Sequence, residues 1–90
     1  MIKTETVIRN ATGLHARPAT DFVALAKTFS AAVTIRRVDT ERKPVNAKSI
    51  LMVLAEGCDC GTRLEIAAEG PDAAEAVAQL AALIEAGFGE

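Results

Sequence analysis

Gly13-Leu14-His15-Ala16-Arg17-Pro18-Ala19-Thr20 is the stretch where an extended segment gives way to the first helix, and it holds the chain's only histidine. Pro18 suits the first turn of a helix, because a missing N–H costs nothing there. Gly13 and the residues before it indicate a loop. The sequence therefore predicts that His15 lies at or just outside the N-terminus of a helix.

The residues around His15 are of the types that form an anion-binding site. The first amides of a helix lack partners, and the helix dipole is positive at that end. Arg17 adds a fixed charge and a planar set of donors that matches phosphate oxygens. A phosphoryl group on imidazole is reactive because imidazole leaves readily, so this histidine could accept phosphate and pass it on. The alternative is a loop histidine whose ring only caps the helix, and the short motif leaves both readings open.

Length and composition limit the classes of protein to consider. Ninety residues, half of them apolar, predict a single domain spanning residues 1–90 with one small core. The net charge of −2 gives no broad attraction to nucleic acid or to an anionic membrane. The basic run of Arg36, Arg37, Arg42 and Lys43 has no Tyr or Trp to stack on bases, so it predicts a solvated hairpin and no nucleic-acid partner.

The sequence also bears on the location of the protein and on metal binding. No stretch approaches the roughly 18 apolar residues of a membrane helix, and no basic leader precedes one, which predicts a cytoplasmic protein without membrane insertion. Cys58 and Cys60 flank one aspartate between Gly57 and Gly61. They predict loop thiols, with no disulfide framework, no metal site and no cofactor.

The remaining pattern predicts four strands and three helices. Strands are indicated by alternating apolar residues, and helices by apolar residues three and four apart. The predicted elements are a strand from Ile2 to Arg9, a helix from Pro18 to Phe29, a strand from Ala32 to Val38, an edge segment from Pro44 to Asn46, a short helix capped by Asn46 and stopped by Gly57, a strand from Thr62 to Ala67, and a last helix with Pro71 at its first position.

This order, βαββαβα, predicts the fold class. A sheet with one solvent-exposed face needs helices on its other face, and short connections between strands favour antiparallel pairing. We therefore expect an open-faced two-layer α+β sandwich, with a four-stranded antiparallel sheet and three helices on one face.

Two motifs, Gly13-Leu14-His15-Ala16-Arg17-Pro18 and Asn46-Ala47-Lys48-Ser49-Ile50-Leu51, together with this element order, carry a family resemblance. Over essentially its whole length the chain resembles HPr, the histidine-containing phosphocarrier of the bacterial sugar phosphotransferase system. The resemblance implies a monomeric carrier that is not itself a turnover enzyme. It implies that Nδ1 of His15 accepts phosphate from enzyme I, which phosphoenolpyruvate charges, and passes it to enzyme IIA for sugar uptake. Arg17 would bind and destabilise the phosphoryl group, with backbone amides from Ala16 and Arg17.

The short helix predicts a partner surface. Its apolar residues cannot all face the core, and a small exposed apolar patch often marks a docking site. The alternative is that they simply cap the core, but the HPr resemblance places Ile50 and Leu51 beside the histidine. The predicted docking face for enzyme I and enzyme IIA consists of Thr20, Ile50, Leu51, Met52 and Leu54, together with Arg17.

Ser49 is a candidate regulatory phosphosite. The sequence places it in the first turn of the short helix, where the dipole favours an added phosphate that would weaken enzyme I docking. In many Gram-positive relatives a dedicated HPr kinase phosphorylates the matching serine, and the product binds a transcription regulator. An ordinary N-terminal helix serine is the alternative.

Two other functions compete with sugar transport. One is a regulatory interaction module in which His15 is idle, although retention of both His15 and Arg17 argues against it. The other is a specialised paralogue serving nitrogen regulation or a dihydroxyacetone kinase relay. It is raised by Met52, which would enlarge the docking patch and shift the choice of partner. The long Asp39 to Lys43 turn and the unusual Cys58 to Cys60 loop also depart from the family pattern, and none of the three is expected to touch His15.

Overall fold

The computed structural model describes residues 1–89 and contains a four-stranded antiparallel sheet and three α-helices. The elements are β1 (Ile2–Val7), α1 (Ala16–Lys27), β2 (Ala32–Arg37), β3 (Val45–Asn46), α2 (Ile50–Glu56), β4 (Arg63–Glu69) and α3 (Ala73–Glu85), followed by a 3₁₀ turn at Gly87–Gly89. The predicted open-faced α+β fold is confirmed. Within residues 1–89, no helix is both long and apolar enough to cross a membrane.

The most regular strand, β4, lies in the interior of the sheet. The strand order is β1-β4-β2-β3, and every neighbouring pair is antiparallel. Ile66 of β4 pairs with Thr4 of β1 on one side and with Ile35 of β2 on the other. Leu64 and Ile66 are fully buried while Arg63 is exposed, as the alternating pattern predicts. Strand β3 has only two residues and forms one edge.

The core lies between the sheet and the apolar stripes of the helices. In α1, Phe22 and Ala26 are fully buried, and in α3 the same holds for Leu80 and Ile84. Burial of a side chain such as Phe22 or Leu80 contributes about 1.5–3 kcal/mol to folding. The helical periodicity in the sequence therefore identifies the buried faces correctly.

The start of α2 differs from the prediction. The proposed cap, Asn46, lies instead in β3, where it pairs with Thr34, and its Oδ1 accepts a hydrogen bond from the Lys48 amide at 2.9 Å. The N-cap is Ser49, whose Oγ accepts from the Met52 amide at 3.4 Å. Both residue types can cap a helix, and strand pairing has already committed Asn46.

The start of α3 also differs, since Pro71 precedes the helix and Asp72 is its N-cap. The Asp72 carboxylate makes no capping hydrogen bond. Its two oxygens accept from the amides of Ser30 and Ala31, at 2.8 Å each. These two backbone hydrogen bonds hold the pKa of Asp72 below its ordinary value. The aspartate thus ties the start of α3 to the segment that leads into β2.

Replacing Asp72 with asparagine should destabilise the fold at neutral pH and much less in acid. Because the folded pKa of Asp72 is lowered, its contribution is present above the unfolded pKa of about 3.9 and is lost as pH falls through the lower folded value. Thermal unfolding of Asp72→Asn and wild type from neutral pH to about pH 2 measures this. Asp21→Asn, at an exposed site in α1, is the matched control. A Tm difference that does not change with pH would contradict the account.

Candidate functional site

His15 is the N-cap of α1, as the sequence predicts. Its backbone is extended, with φ −132° and ψ 165°, and its side chain makes no capping hydrogen bond. The side chain is 37% exposed. The reading in which the imidazole only caps the helix is therefore wrong, and the ring is open to a reaction partner.

The backbone next to the imidazole is strained. Ala16 has φ 50°, in the left-handed region that residues with a Cβ rarely adopt. This conformation costs roughly 1–2 kcal/mol, and such residues concentrate at functional sites. The surrounding contacts must hold Ala16 in place against this cost.

Two amides at the start of α1 are available to an anion. Within residues 1–89, the N–H groups of Ala16 and Arg17 have no backbone or side-chain acceptor, and Pro18 has no N–H. The next amide, that of Ala19, donates to the carbonyl of His15 at 3.4 Å. Free amides at the positive end of a helix bind anions such as phosphate.

Arg17 supplies an exposed positive charge beside these amides. Its side chain is exposed and forms no hydrogen bond or ion pair within the described part of the chain. It lines a shallow pocket together with Pro18, Asp21 and Phe88. The guanidinium can therefore turn toward an anion on His15 without breaking a contact among these residues.

Close packing of two loops fixes the position of His15. The Leu14 amide donates to the Cys58 carbonyl at 2.8 Å, and the Asn10 side-chain amide donates to the Gly13 carbonyl at 3.0 Å. Gly13 has φ +74°, and a Cβ there would lie 2.6 Å from the Cys58 oxygen and 2.9 Å from Cα of Asp59. Only glycine fits this position. The loop before α1 is thus pressed against the loop between α2 and β4.

This packing brings Asp59 to the histidine, a contact that the sequence analysis missed. Oδ1 of Asp59 lies 2.8 Å from Nε2 of His15. The two residues are 44 positions apart, and the motif around His15 contains no sign of the contact. The expectation that the Cys58 to Cys60 loop does not touch His15 is therefore wrong, and the only local signal is an aspartate in a loop bounded by glycines.

Both cysteines are free and lie in this loop, but their environments differ. Cys58 is buried, and burial, followed by the charge of Glu56, raises the pKa of its thiol to about 12. It is therefore a neutral part of the core at physiological pH. Cys60 is exposed, with its Sγ 3.6 Å from the carbonyl of Arg9.

An exposed apolar surface lies on α2. Ile50, Leu51, Met52 and Leu54 are all exposed, Leu51 to 76%, whereas Val53 between them is fully buried. These four residues are the apolar patch. The reading in which they simply cap the core is wrong for Leu51.

The apolar patch continues into a groove beside α1. Ile50 and Thr20 line a groove of about 380 Å³, together with Val23, Ala24 and Lys27, none of which was predicted as part of the docking face. Oγ1 of Thr20 donates to the carbonyl of Ala16 at 3.3 Å, one turn from the histidine. The structure therefore joins Thr20 and Ile50 in one surface that begins next to the site.

Comparison with known proteins identifies the family. The family model for the phosphotransferase-system HPr component phosphorylation site matches residues 2–86. The phosphocarrier protein HPr of Treponema pallidum is 41% identical over 90 residues, covering 100% of this chain and 98% of that protein. The chain belongs to the HPr family.

A solved structure and a longer relative extend the comparison. The crystal structure of HPr-C-His from Thermoanaerobacter tengcongensis superimposes with a TM-score of 0.92 at 42% identity, covering 100% of this chain and 98% of that one. The multiphosphoryl transfer protein of Salmonella typhimurium is 40% identical over 90 residues. That match covers the whole of this chain but only 24% of the Salmonella protein, so the chain spans about a quarter of such relatives.

Proposed function

We propose that this protein is a phosphocarrier that accepts a phosphoryl group on Nδ1 of His15 from phosphorylated enzyme I and passes it to enzyme IIA. The observation that carries the proposal is the partly exposed imidazole beside two amides and the guanidinium of Arg17, none of which has a partner among residues 1–89. Because Nε2 of His15 is occupied by Asp59, Nδ1 is the ring nitrogen left for phosphorus. The chain then acts as an intermediate in a transfer sequence rather than as a turnover enzyme.

The strength of the anion site suits a group that must be released again. A helix N-terminus stabilises a negative charge by roughly 0.3–1 kcal/mol at an exposed position. The phosphoryl group on His15 would therefore be oriented by the amides without being trapped. Reversible transfer requires nearly equal free energies on donor and acceptor, and a tightly closed site would prevent it.

In the proposed function, the docking face for both partners is formed by Thr20 and the apolar patch with Arg17. Its apolar residues are exposed, and Ile50 shares a groove with Thr20. Exposed apolar surface of this kind supports protein docking. The reaction is proposed to take place in the cytoplasm, with the protein as a monomer and sugar uptake as the process served.

Incubation with phosphoenolpyruvate and a bacterial enzyme I tests the proposal. Intact mass should show one added phosphoryl group, and phosphorus NMR should show a phosphoramidate that acid destroys. Addition of an enzyme IIA should discharge it. The absence of labelling with several active enzymes I, including those of nitrogen-branch systems, would favour the regulatory module. Discharge only to a nitrogen-branch or dihydroxyacetone kinase acceptor would identify the specialised paralogue.

We further propose that phosphorylation of Ser49 by a dedicated kinase regulates docking. Ser49 is the N-cap of α2, directly before the apolar patch, and the residue is partly exposed. A phosphate there would be favoured by the helix N-terminus and would place about two negative charges beside the patch. Binding of the phosphorylated form to a transcription regulator is the corresponding downstream step.

Replacing Ser49 with aspartate should weaken enzyme I binding several-fold without destabilising the protein. Serine, aspartate and asparagine cap helices about equally well, so Ser49→Asn is a neutral control of similar shape. Titration of enzyme I with both variants, with Tm measured in parallel, separates charge from capping. Equal affinities for Ser49→Asp and Ser49→Asn would contradict regulation by charge.

A further inference from the structure

The carboxylate of Asp59 is the only described side chain that hydrogen-bonds the imidazole of His15, at 2.8 Å. Its position is fixed by the backbone. The Asp59 carbonyl accepts from the Thr62 amide at 3.0 Å, and the neighbouring Cys58 carbonyl accepts from Leu14 at 2.8 Å. The residue before the histidine and the residue before the aspartate are therefore hydrogen-bonded to each other.

This contact determines which ring nitrogen carries the proton. An ionised carboxylate only accepts hydrogen bonds, so Nε2 of His15 must be the donor. A neutral imidazole has one N–H, and with that proton on Nε2 the lone pair of Nδ1 is bare. Nδ1 is thereby presented as the nucleophile.

We propose that Asp59 is a positioning residue for phosphoryl transfer, which holds His15 in the Nε2–H tautomer and keeps that proton in place while Nδ1 carries the phosphoryl group. This inference rests on the proposed function. It assigns a role to the loop between α2 and β4, which lies outside both of the motifs that identify the family.

The transfer step balances without any other reagent. The Nδ1 lone pair of His15 attacks phosphorus of phosphorylated enzyme I, the N–P bond forms, and the donor's bond to phosphorus breaks with its electron pair leaving on the donor. The ring, protonated at Nε2, becomes a cationic phosphoimidazolium paired with Asp59. In the onward step a nucleophile of enzyme IIA forms its bond to phosphorus, the Nδ1–P bond breaks and its electron pair returns to Nδ1, giving neutral imidazole. Without the Nε2 proton the leaving group would be imidazolate, which is far poorer.

Solvent limits the size of the effect. The Asp59 side chain is 79% exposed, so water and salt screen its attraction for the cationic ring. The carboxylate–imidazolium hydrogen bond is nonetheless charge-assisted and held by a fixed backbone. Positive charge develops on the ring as Nδ1 attacks phosphorus, so we expect acceptance of the phosphoryl group from enzyme I to slow about 5- to 10-fold when the carboxylate is removed.

The test combines NMR of the unphosphorylated protein with transfer kinetics. Nitrogen-15 shifts of His15, recorded where the ring is neutral, should show Nε2 protonated and Nδ1 bare in wild type. In Asp59→Ala they should move toward a mixture of tautomers. Transfer from phosphorylated enzyme I should slow in Asp59→Ala, and Asp59→Glu should recover much of the rate because it restores a carboxylate. Cys60→Ser, in the same loop, should behave as wild type.

Each other outcome has a distinct meaning. Identical His15 shifts in wild type and Asp59→Ala, or equal slowing in Asp59→Ala and Cys60→Ser, would overturn the role of Asp59. Failure of wild type to accept phosphate would overturn the proposed function, and with it the use of Asp59 in transfer. The NMR comparison does not depend on enzyme I, so the two failures are distinguishable.

Discussion

His15→Ala should not accept a phosphoryl group at all. The chain has one histidine, and neither the α1 amides nor Arg17 can form a covalent bond to phosphorus. The substitution should leave the fold intact, because the ring is partly exposed, makes no capping hydrogen bond and loses only its contact with Asp59. Changes of this kind at a surface alter stability by about 0.5 kcal/mol or less. Intact mass after reaction with phosphoenolpyruvate and enzyme I measures the result.

Two controls make this result specific. Thr12→Ala changes an exposed residue in the same loop and should be labelled as fully as wild type. Circular dichroism and Tm should show that His15→Ala remains folded. An acid-labile phosphoryl group on the folded variant would mean that another residue accepts it, and the assignment of His15 would be wrong.

Local sequence patterns predict the elements of this fold better than their boundaries. Alternation in β4 and apolar stripes in α1 and α3 predict burial correctly, because each pattern reflects one face of one element. The helix starts are harder, since Asn46 and Ser49 are both good caps. Pairing of Asn46 with Thr34 decides between them, and this pairing joins distant parts of the chain.

The distinction between local patterns and contacts between distant residues also explains how much of the candidate site the sequence predicts. His15, the α1 amides and Arg17 lie within three positions and form a local motif, so their arrangement follows from one helix start. The contact with Asp59 depends on Gly13 packing against the loop between α2 and β4. Nothing in a single sequence states which loops touch. The exposed patch on α2 was predictable because a seven-residue helix has too little buried surface for all of its apolar side chains.

Arg17→Ala should slow phosphoryl transfer by roughly 10²- to 10³-fold, the loss typical of removing one group that stabilises transition-state charge. The negative charge on the transferring phosphoryl oxygens needs hydrogen-bond donors most in the transition state. A guanidinium supplies two parallel N–H groups there. Docking depends mainly on the apolar patch, so the affinity of the unphosphorylated protein for enzyme I should change by only a few-fold. Because Arg17 has no partner among residues 1–89, its removal leaves no described group unsatisfied, and the fold should persist.

Rapid-quench measurement of transfer from enzyme I, with Kd from calorimetry, separates the two effects for Arg17. Arg17→Lys keeps the charge but loses the planar pair of donors, so its rate should lie between those of wild type and Arg17→Ala. Arg9→Ala, which removes an equal charge from an exposed site, controls for long-range attraction between the proteins. A rate equal to wild type would remove Arg17 from the mechanism. A loss of affinity as large as the loss of rate would make Arg17 a docking residue, and the two α1 amides would then be the principal groups holding the phosphoryl oxygens.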